Sequence, residues 1–181
     1  MNVWHDVQNC LDAQLIFTAV VEIPSGSHVK YELDKETGLL RVDRVLHSAV
    51  YYPGNYGFLP QTYADDEDPL DVLILGSEAF NSLTLVHARP IGLLRMIDQG
   101  KQDDKILAVH VGDPFFASFD DVFQLPDHVR NVIQEFFQTY KTLEGKTVKI
   151  QLPFLGAADA VAVIQKSLSD YQMKFKPIEK F

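Results

Sequence analysis

A single cysteine, Cys10, leaves the chain unable to form an intrachain disulfide. Its expected environment is therefore reducing, and Cys10 reads as a small buried hydrophobe. Long apolar runs are also missing. Leu15 to Val21 is apolar apart from Thr18 but far too short to span a bilayer, and Met1 to Asp12 has neither the basic start nor the apolar stretch of a signal peptide. The expected location is cytoplasmic. Positive charge is scarce: 16 Lys and Arg face 25 Asp and Glu, a net charge of −9. That argues against a general nucleic-acid binder, which needs basic residues in surplus on some face. An anionic substrate stays open if it arrives with a divalent cation. Repeats, low-complexity tracts and Ser/Gly linkers are absent too. Residues 1–181 therefore read as a single domain, long enough to bury a sizeable core.

What is present is an acidic knot. In Asp66-Glu67-Asp68-Pro69-Leu70-Asp71-Val72, three aspartates fall within six positions, just before the strand-like run Val72-Leu73-Ile74-Leu75. Hard divalent cations want oxygen ligands on a stiff frame, and Pro69 fixes one backbone angle and blocks a helix. An EF-hand is excluded, because no Gly stands at the sixth position of a ligand run and no Glu closes a twelve-residue loop. A solvated acidic turn remains the alternative.

The first two thirds read as strands. Phe17 to Ile23 is β-branched and apolar, and Pro24-Ser25-Gly26-Ser27 turns the chain. Val29 to Leu33 alternates, which sends Lys30 and Glu32 to one face. Leu39 to Val45 follows the turn at Thr37-Gly38 and delivers Asp43 and Arg44. Tyr51 to Phe58, interrupted by Pro53, Gly54 and Gly57, reads as an irregular segment crossing a surface. Ile91 to Ile97 and Ile106 to Val111 read as strands joined by an acidic hairpin tip, Asp98 to Lys105. The last third is helical. After Pro126, a stripe from Val129 to Tyr140 has helical spacing with Gly145 as its stop, and Ala157 to Phe175 carries a second stripe. Five or so strands followed by two helices indicate a small twisted barrel covered by helices.

The ionisable residues at strand ends and joints are Glu22, Lys30, Glu32, Arg44, Asp66, Asp68, Asp71, Asp98, Asp103, Lys105 and Lys141. Acids and bases interleave, as a two-metal phosphoanhydride hydrolase requires. Carboxylates hold the cations, while Lys and Arg grip phosphoryl oxygens and offset charge on the leaving phosphate. Plainer readings exist for each. Lys30 and Glu32 could be a solvated face, Tyr52 and Tyr56 packed rings with wet hydroxyls, and Tyr140-Lys141 a helix end. The histidines His5, His28, His47, His87, His110 and His128 show no ligand spacing and are assigned no chemistry.

Taken in order, Val21-Glu22-Ile23-Pro24, Lys30-Tyr31-Glu32, Val42-Asp43-Arg44, Tyr52-Pro53-Gly54-Asn55-Tyr56-Gly57, the knot at 66–72, Asp98 with Asp103 and Lys105, and Phe136-Phe137 with Tyr140-Lys141 resemble the soluble family I inorganic pyrophosphatases of the small bacterial type. The resemblance spans nearly the whole chain. It implies a five-stranded OB-like β-barrel with two packed C-terminal helices, and Mg²⁺-dependent hydrolysis of pyrophosphate to two orthophosphates by direct attack of a metal-activated water. Several Mg²⁺ ions per site are implied, with Mn²⁺, Zn²⁺ or Co²⁺ as substitutes, and so is a homohexamer. By the same resemblance Asp66, Asp71 and Asp103 match the main metal ligands, Asp98 and Glu32 ligands of further metals, and Glu22 a supporting carboxylate behind them. Asp68 matches the group that takes the water's proton, and Tyr52 a support near that nucleophile. Lys30, Arg44, Tyr56, Lys105, Tyr140 and Lys141 match the phosphate-binding set. Two positions depart from the pattern. Glu67 stands where the family usually carries a small or turn-forming residue, which implies a tightened or redirected loop. Gln99 stands where a second acid is common, which implies weaker binding of the later metals. The rival readings are an OB-type module that binds nucleic acid or polyphosphate without hydrolysis, and a hydrolase of nucleotides or longer polyphosphates.

Overall fold

The computed structural model describes residues 2–9, 11–151 and 154–175, so Cys10 lies outside the described residues. Strands β1 (Phe17–Ile23), β2 (Val29–Leu33), β3 (Leu40–Val45), β4 (Asn55–Phe58), β5 (Asp71–Leu75), β6 (Leu85–Leu94), β7 (Met96–Asp98), β8 (Lys101–Gln102) and β9 (Lys105–His110) come first. Helix α1 (Asp127–Thr139), β10 (Val148–Ile150), β11 (Leu155–Gly156) and helix α2 (Ala157–Phe175) complete the order. The main sheet runs β1-β4-β5-β9-β6, and β6 pairs back onto β1. That pairing closes a five-stranded barrel, as the sequence led us to expect. All its pairings are antiparallel except β5 with β9, which is parallel and sets Asp71 opposite Lys105.

Period-two alternation splits the core. Val72 and Ile74 of β5 join residues of β1, β6 and β9, together with Ala160 and Ile164 of α2. Leu73 and Leu75, one step out of phase, join Ile133, Phe136 and Phe137 of α1. With both faces covered, β5 reads as an unbroken apolar run rather than an alternating one. Each fully buried Leu or Phe in these clusters contributes about 1.5–3 kcal/mol relative to exposure. Two hairpins, β2–β3 and β7–β8, pair outside the barrel sheet.

Three sequence expectations need correction. Tyr51 to Phe58 is not an irregular surface crossing, because its second half is β4, buried between β1 and β5. Gly57 was read there as a breaker, yet a Cβ at that position would sit 1.9 Å from the Val20 carbonyl oxygen. The glycine marks close approach of two strands. The strand expected over Ile91 to Ile97 starts earlier, at Leu85, and is interrupted at Arg95. Pro90 obscured it; the register shifts between Pro90 and Gly92, and that irregularity accommodates a residue without a donor. Finally, α1 ends at Thr139, and Gly145, at φ 71°, terminates a separate 3₁₀ turn over Thr142–Glu144. Helix α2 has the expected bounds.

Gly57→Ala is expected to cost at least about 2 kcal/mol, because the methyl meets backbone that cannot swing aside. Urea melts of the two proteins check this, and equal midpoints would contradict the close approach.

Candidate active site

One cavity of about 440 Å³ is lined by thirteen of the fourteen expected site residues: Glu22, Lys30, Glu32, Arg44, Tyr56, Asp66, Asp68, Asp71, Asp98, Asp103, Lys105, Tyr140 and Lys141. Tyr52 is the exception. It is buried behind the wall, its ring 5.4 Å from Tyr56 and 4.7 Å from Phe136.

Local backbone chemistry explains how the acidic knot is held. The Ala64 N–H donates to the Asp68 carbonyl and the Glu67 N–H to the Ala64 carbonyl, closing a tight loop, while the Asp68 N–H donates to Asp66 Oδ1 at 3.2 Å. Glu67 sits in that loop at φ 75°, the left-handed region that favours Gly or Asn. Gln99 likewise has φ 50°, beside Gly100 in the β7–β8 turn. Both departures from the family pattern are thus residues held in left-handed backbone. Leu70, buried, anchors the loop's far end, its N–H donating to Thr62 Oγ1 at 2.8 Å.

Asp71 then opens β5, and parallel register brings it to Lys105, whose ammonium also meets Asp103 two residues back. Lys105 is only 3% exposed. Burial alone would push its pKa down, but Asp71, Tyr56 and Asp103 outweigh that and hold it well above the usual lysine range. Four more cations of the cavity are paired as well. Lys30 meets Glu32 and lies 3.3 Å from Asp43, Arg44 meets Asp43 and donates to Glu144 at 2.8 Å, Lys141 meets Asp98, and Lys35 meets Asp68. Among the described residues, two buried side-chain polar atoms lack a hydrogen-bond partner: Arg44 Nη2, a donor, and Asp98 Oδ1, an acceptor.

Several acids are loaded toward the protonated form. Burial first, then the charge of Asp71, pushes Glu22 up to about 8, although the Leu33 N–H donates to its Oε1 at 2.7 Å. Burial and then Asp71 push Asp66 up to about 6. Burial likewise raises Tyr52, Tyr56 and Tyr140, whose hydroxyls stay neutral. An added cation would relieve this crowding of negative charge. Among the described residues no three such carboxylates close around one point, and the convergence is pairwise, at Lys105. The donor set is nevertheless all oxygen, with one unpartnered buried carboxylate oxygen and two acids pushed up by burial and then by the charge of Asp71. Those features suit a hard dication. A multiply charged anion arriving with dications would exchange partners with the internal pairs, the anion taking the Lys and Arg tips and the dications the carboxylates.

Sequence reasoning missed Trp4, Lys35, Asp43 and Lys146 as lining residues, and Glu144 as the partner of Arg44, whereas Gln99, singled out beside Asp98, does line the cavity. Lys35 sits in the turn after β2, where nothing in the local pattern marks it out. Nothing local to Glu144 signals a partner 100 residues away.

The family model described as "Inorganic pyrophosphatase" matches residues 19–172. Soluble inorganic pyrophosphatase 2 of Chlamydomonas reinhardtii is 49% identical over 174 residues, 96% of this chain and 90% of that one. Among solved structures, the inorganic pyrophosphatase of Thermus thermophilus superposes with a TM-score of 0.90 at 35% identity, covering 95% of this chain and 99% of that one. The Helicobacter pylori inorganic pyrophosphatase gives 0.87 at 40% identity, covering 92% and 99%.

The elevated Glu22 pKa has a measurable consequence. Between the unfolded carboxyl value near ~4.3 and the folded value, the native state holds a proton that the unfolded chain has released, so stability falls as pH rises through that window. With metal chelated, Glu22→Gln should flatten this decline, so that the variant gains on the parent between about pH 5 and about pH 9. Thermal melts across that range check it; parallel profiles would contradict it.

Proposed function

The chain belongs to the inorganic pyrophosphatase family, and we propose that its cavity hydrolyses pyrophosphate to two orthophosphates with Mg²⁺ as the natural metal and Mn²⁺, Zn²⁺ or Co²⁺ as substitutes. The observation that carries this reading is the cavity's interleaving of cations with a larger number of carboxylates, with an unpartnered guanidinium nitrogen and an unpartnered carboxylate oxygen among its buried atoms. A pure anion binder would need no carboxylates, and a metal store would need no buried lysine. Asp66, Asp71 and Asp103 would be the principal metal-holding side chains, with Asp98 and Glu32 for further ions and Glu22 behind them. The bound metal supplies positive charge against the phosphoryl oxygens and makes water more acidic.

The chain's own groups do the rest. Lys30, Arg44, Tyr56, Lys105, Tyr140 and Lys141 orient the two phosphoryl groups and offset the charge that gathers on the departing one. Water attacks one phosphorus in line as the bridging P–O bond breaks, and the Asp68 carboxylate takes the water's proton. No side chain is covalently modified. Tyr52, packed against Tyr56, keeps that ring in place. Membership in the family supports a homohexamer and a single domain over 1–181. A cytoplasmic location fits as well; among the described residues no helix is long and apolar enough to cross a membrane.

Asp68→Asn should fold as the parent does yet release orthophosphate about 10²–10⁴-fold more slowly at saturating Mg²⁺, because an amide cannot take the proton. Chelating the metal should silence the parent. Phosphate release that ignores both changes, or a parent that binds polyphosphate without cleaving it, would overturn the reading, and competition with ATP tests the preference for pyrophosphate.

A further inference from the structure

Asp104 is a buried acid that the cavity does not use. It lies between Asp103 and Lys105, which both line the active cavity, in the two-residue link from β8 to β9, and its side chain faces a different cavity. There it helps line a second, smaller cavity of about 100 Å³ together with Asp65, Arg95, Gln102 and Lys166. Arg95 clasps it at two points, with Nη2 3.1 Å from Oδ2 and Nε 3.2 Å from Oδ1, and Gln102 Nε2 donates to Oδ2 at 2.9 Å. The Asp104 side chain is only 6% exposed.

The location of this clasp matters more than its energy. Arg95 is the residue that interrupts β6 and β7, and the Asp103 N–H donates to the Met96 carbonyl beside it at 2.9 Å. The clasp therefore pins the foot of the segment that carries Asp98, Asp103 and Lys105 into the active cavity. Lys166 of α2 reaches Asp65 at 3.4 Å on the same small cavity, and Asp65 is the neighbour of Asp66 in the acidic knot. Lys166 and Asp65 are more than half exposed and Lys166 donates to Asp170 at 2.7 Å, so the buried tie behind the site is the Arg95–Asp104 clasp.

Resting on the reading of the cavity as a metal-dependent hydrolase site, we infer that Arg95, acting through Asp104, is a positioning residue that holds Asp103 and Lys105 at the spacing the metal and phosphate require. A fork of two N–H donors on one carboxylate fixes direction as well as distance, and a lysine cannot reproduce it. Groups that orient metal-holding side chains from behind characteristically cost about 10–100-fold in metal affinity when removed.

The test compares the parent chain with Arg95→Met, Arg95→Lys, Asp104→Asn and the double variant Arg95→Met/Asp104→Asn. Mg²⁺ binding is measured by calorimetry without substrate, alongside KM, kcat and the melting temperature. Arg95→Met and Asp104→Asn should each raise the Mg²⁺ Kd about tenfold, with Arg95→Lys between them and the parent. The double variant should lose no more than the worse single, since the two act as a unit. At saturating Mg²⁺, kcat should recover. A lower melting temperature with unchanged Mg²⁺ binding would make the clasp merely structural and overturn the inference. Should Arg95→Met fail to fold, Arg95→Lys and Asp104→Asn decide, and parental Mg²⁺ affinity in both overturns it. A parent that neither binds Mg²⁺ nor cleaves pyrophosphate overturns the underlying reading and this inference together; a competent parent with unaffected variants overturns this inference alone.

Discussion

A lysine ammonium buried between two aspartates, Lys105 with Asp71 and Asp103, is the interaction on which the rest of the site depends. Stranding one charge at that depth would cost several kcal/mol, so the cation and its acids have to be delivered together. Backbone pairing delivers them. Parallel register sets Asp71 opposite Lys105, and the short link that enters β9 brings Asp103 to the same ammonium. The barrel's one parallel pairing is therefore also its electrostatic centre.

From that centre the charges spread outward as matched pairs: Lys141 with Asp98, Lys30 with Glu32 and Asp43, Arg44 with Asp43 and Glu144, Lys35 with Asp68. Such a wall is almost self-neutral and yet highly polar, which suits a ligand that is itself a mixture of polyanion and dications. Acids beyond the matching supply the bias toward cations. Glu22 and Asp66, buried and crowded by Asp71, have raised pKa values, so positive charge entering the cavity favours their ionised forms. Rings of Tyr52, Tyr56, Phe136 and Tyr140 pack behind and beside these charges and keep water from screening them.

Much of this was legible in the chain. β-branched composition located β1, alternation β2 and the turn at Thr37-Gly38 β3, each within a residue, and helical spacing located α2 with its bounds, because in those segments the local pattern and the tertiary environment agree. Where the two diverge, local reasoning failed. Gly57 and Pro90 are poor strand residues by propensity, and each is tolerated for a tertiary reason: close packing of β4 on β1 at Gly57, an irregular register at Pro90. Lys35 and Glu144 went unnoticed because an ion pair spanning tens of residues leaves no trace in spacing.

The amino-acid sequence alone determined which groups were available, how strands would alternate, where turns would fall, and that aspartates of one short knot would be stiffened by Pro69. Those properties depend on residues within a few positions of each other. Only the tertiary structure decided who meets whom: Asp71 with Lys105 across 34 residues, Arg44 with Glu144 across 100, Arg95 with Asp104 behind the wall rather than in it. Register and barrel closure set those meetings. Both are won by burying apolar surface over the whole core, a sum that no local stretch of chain contains.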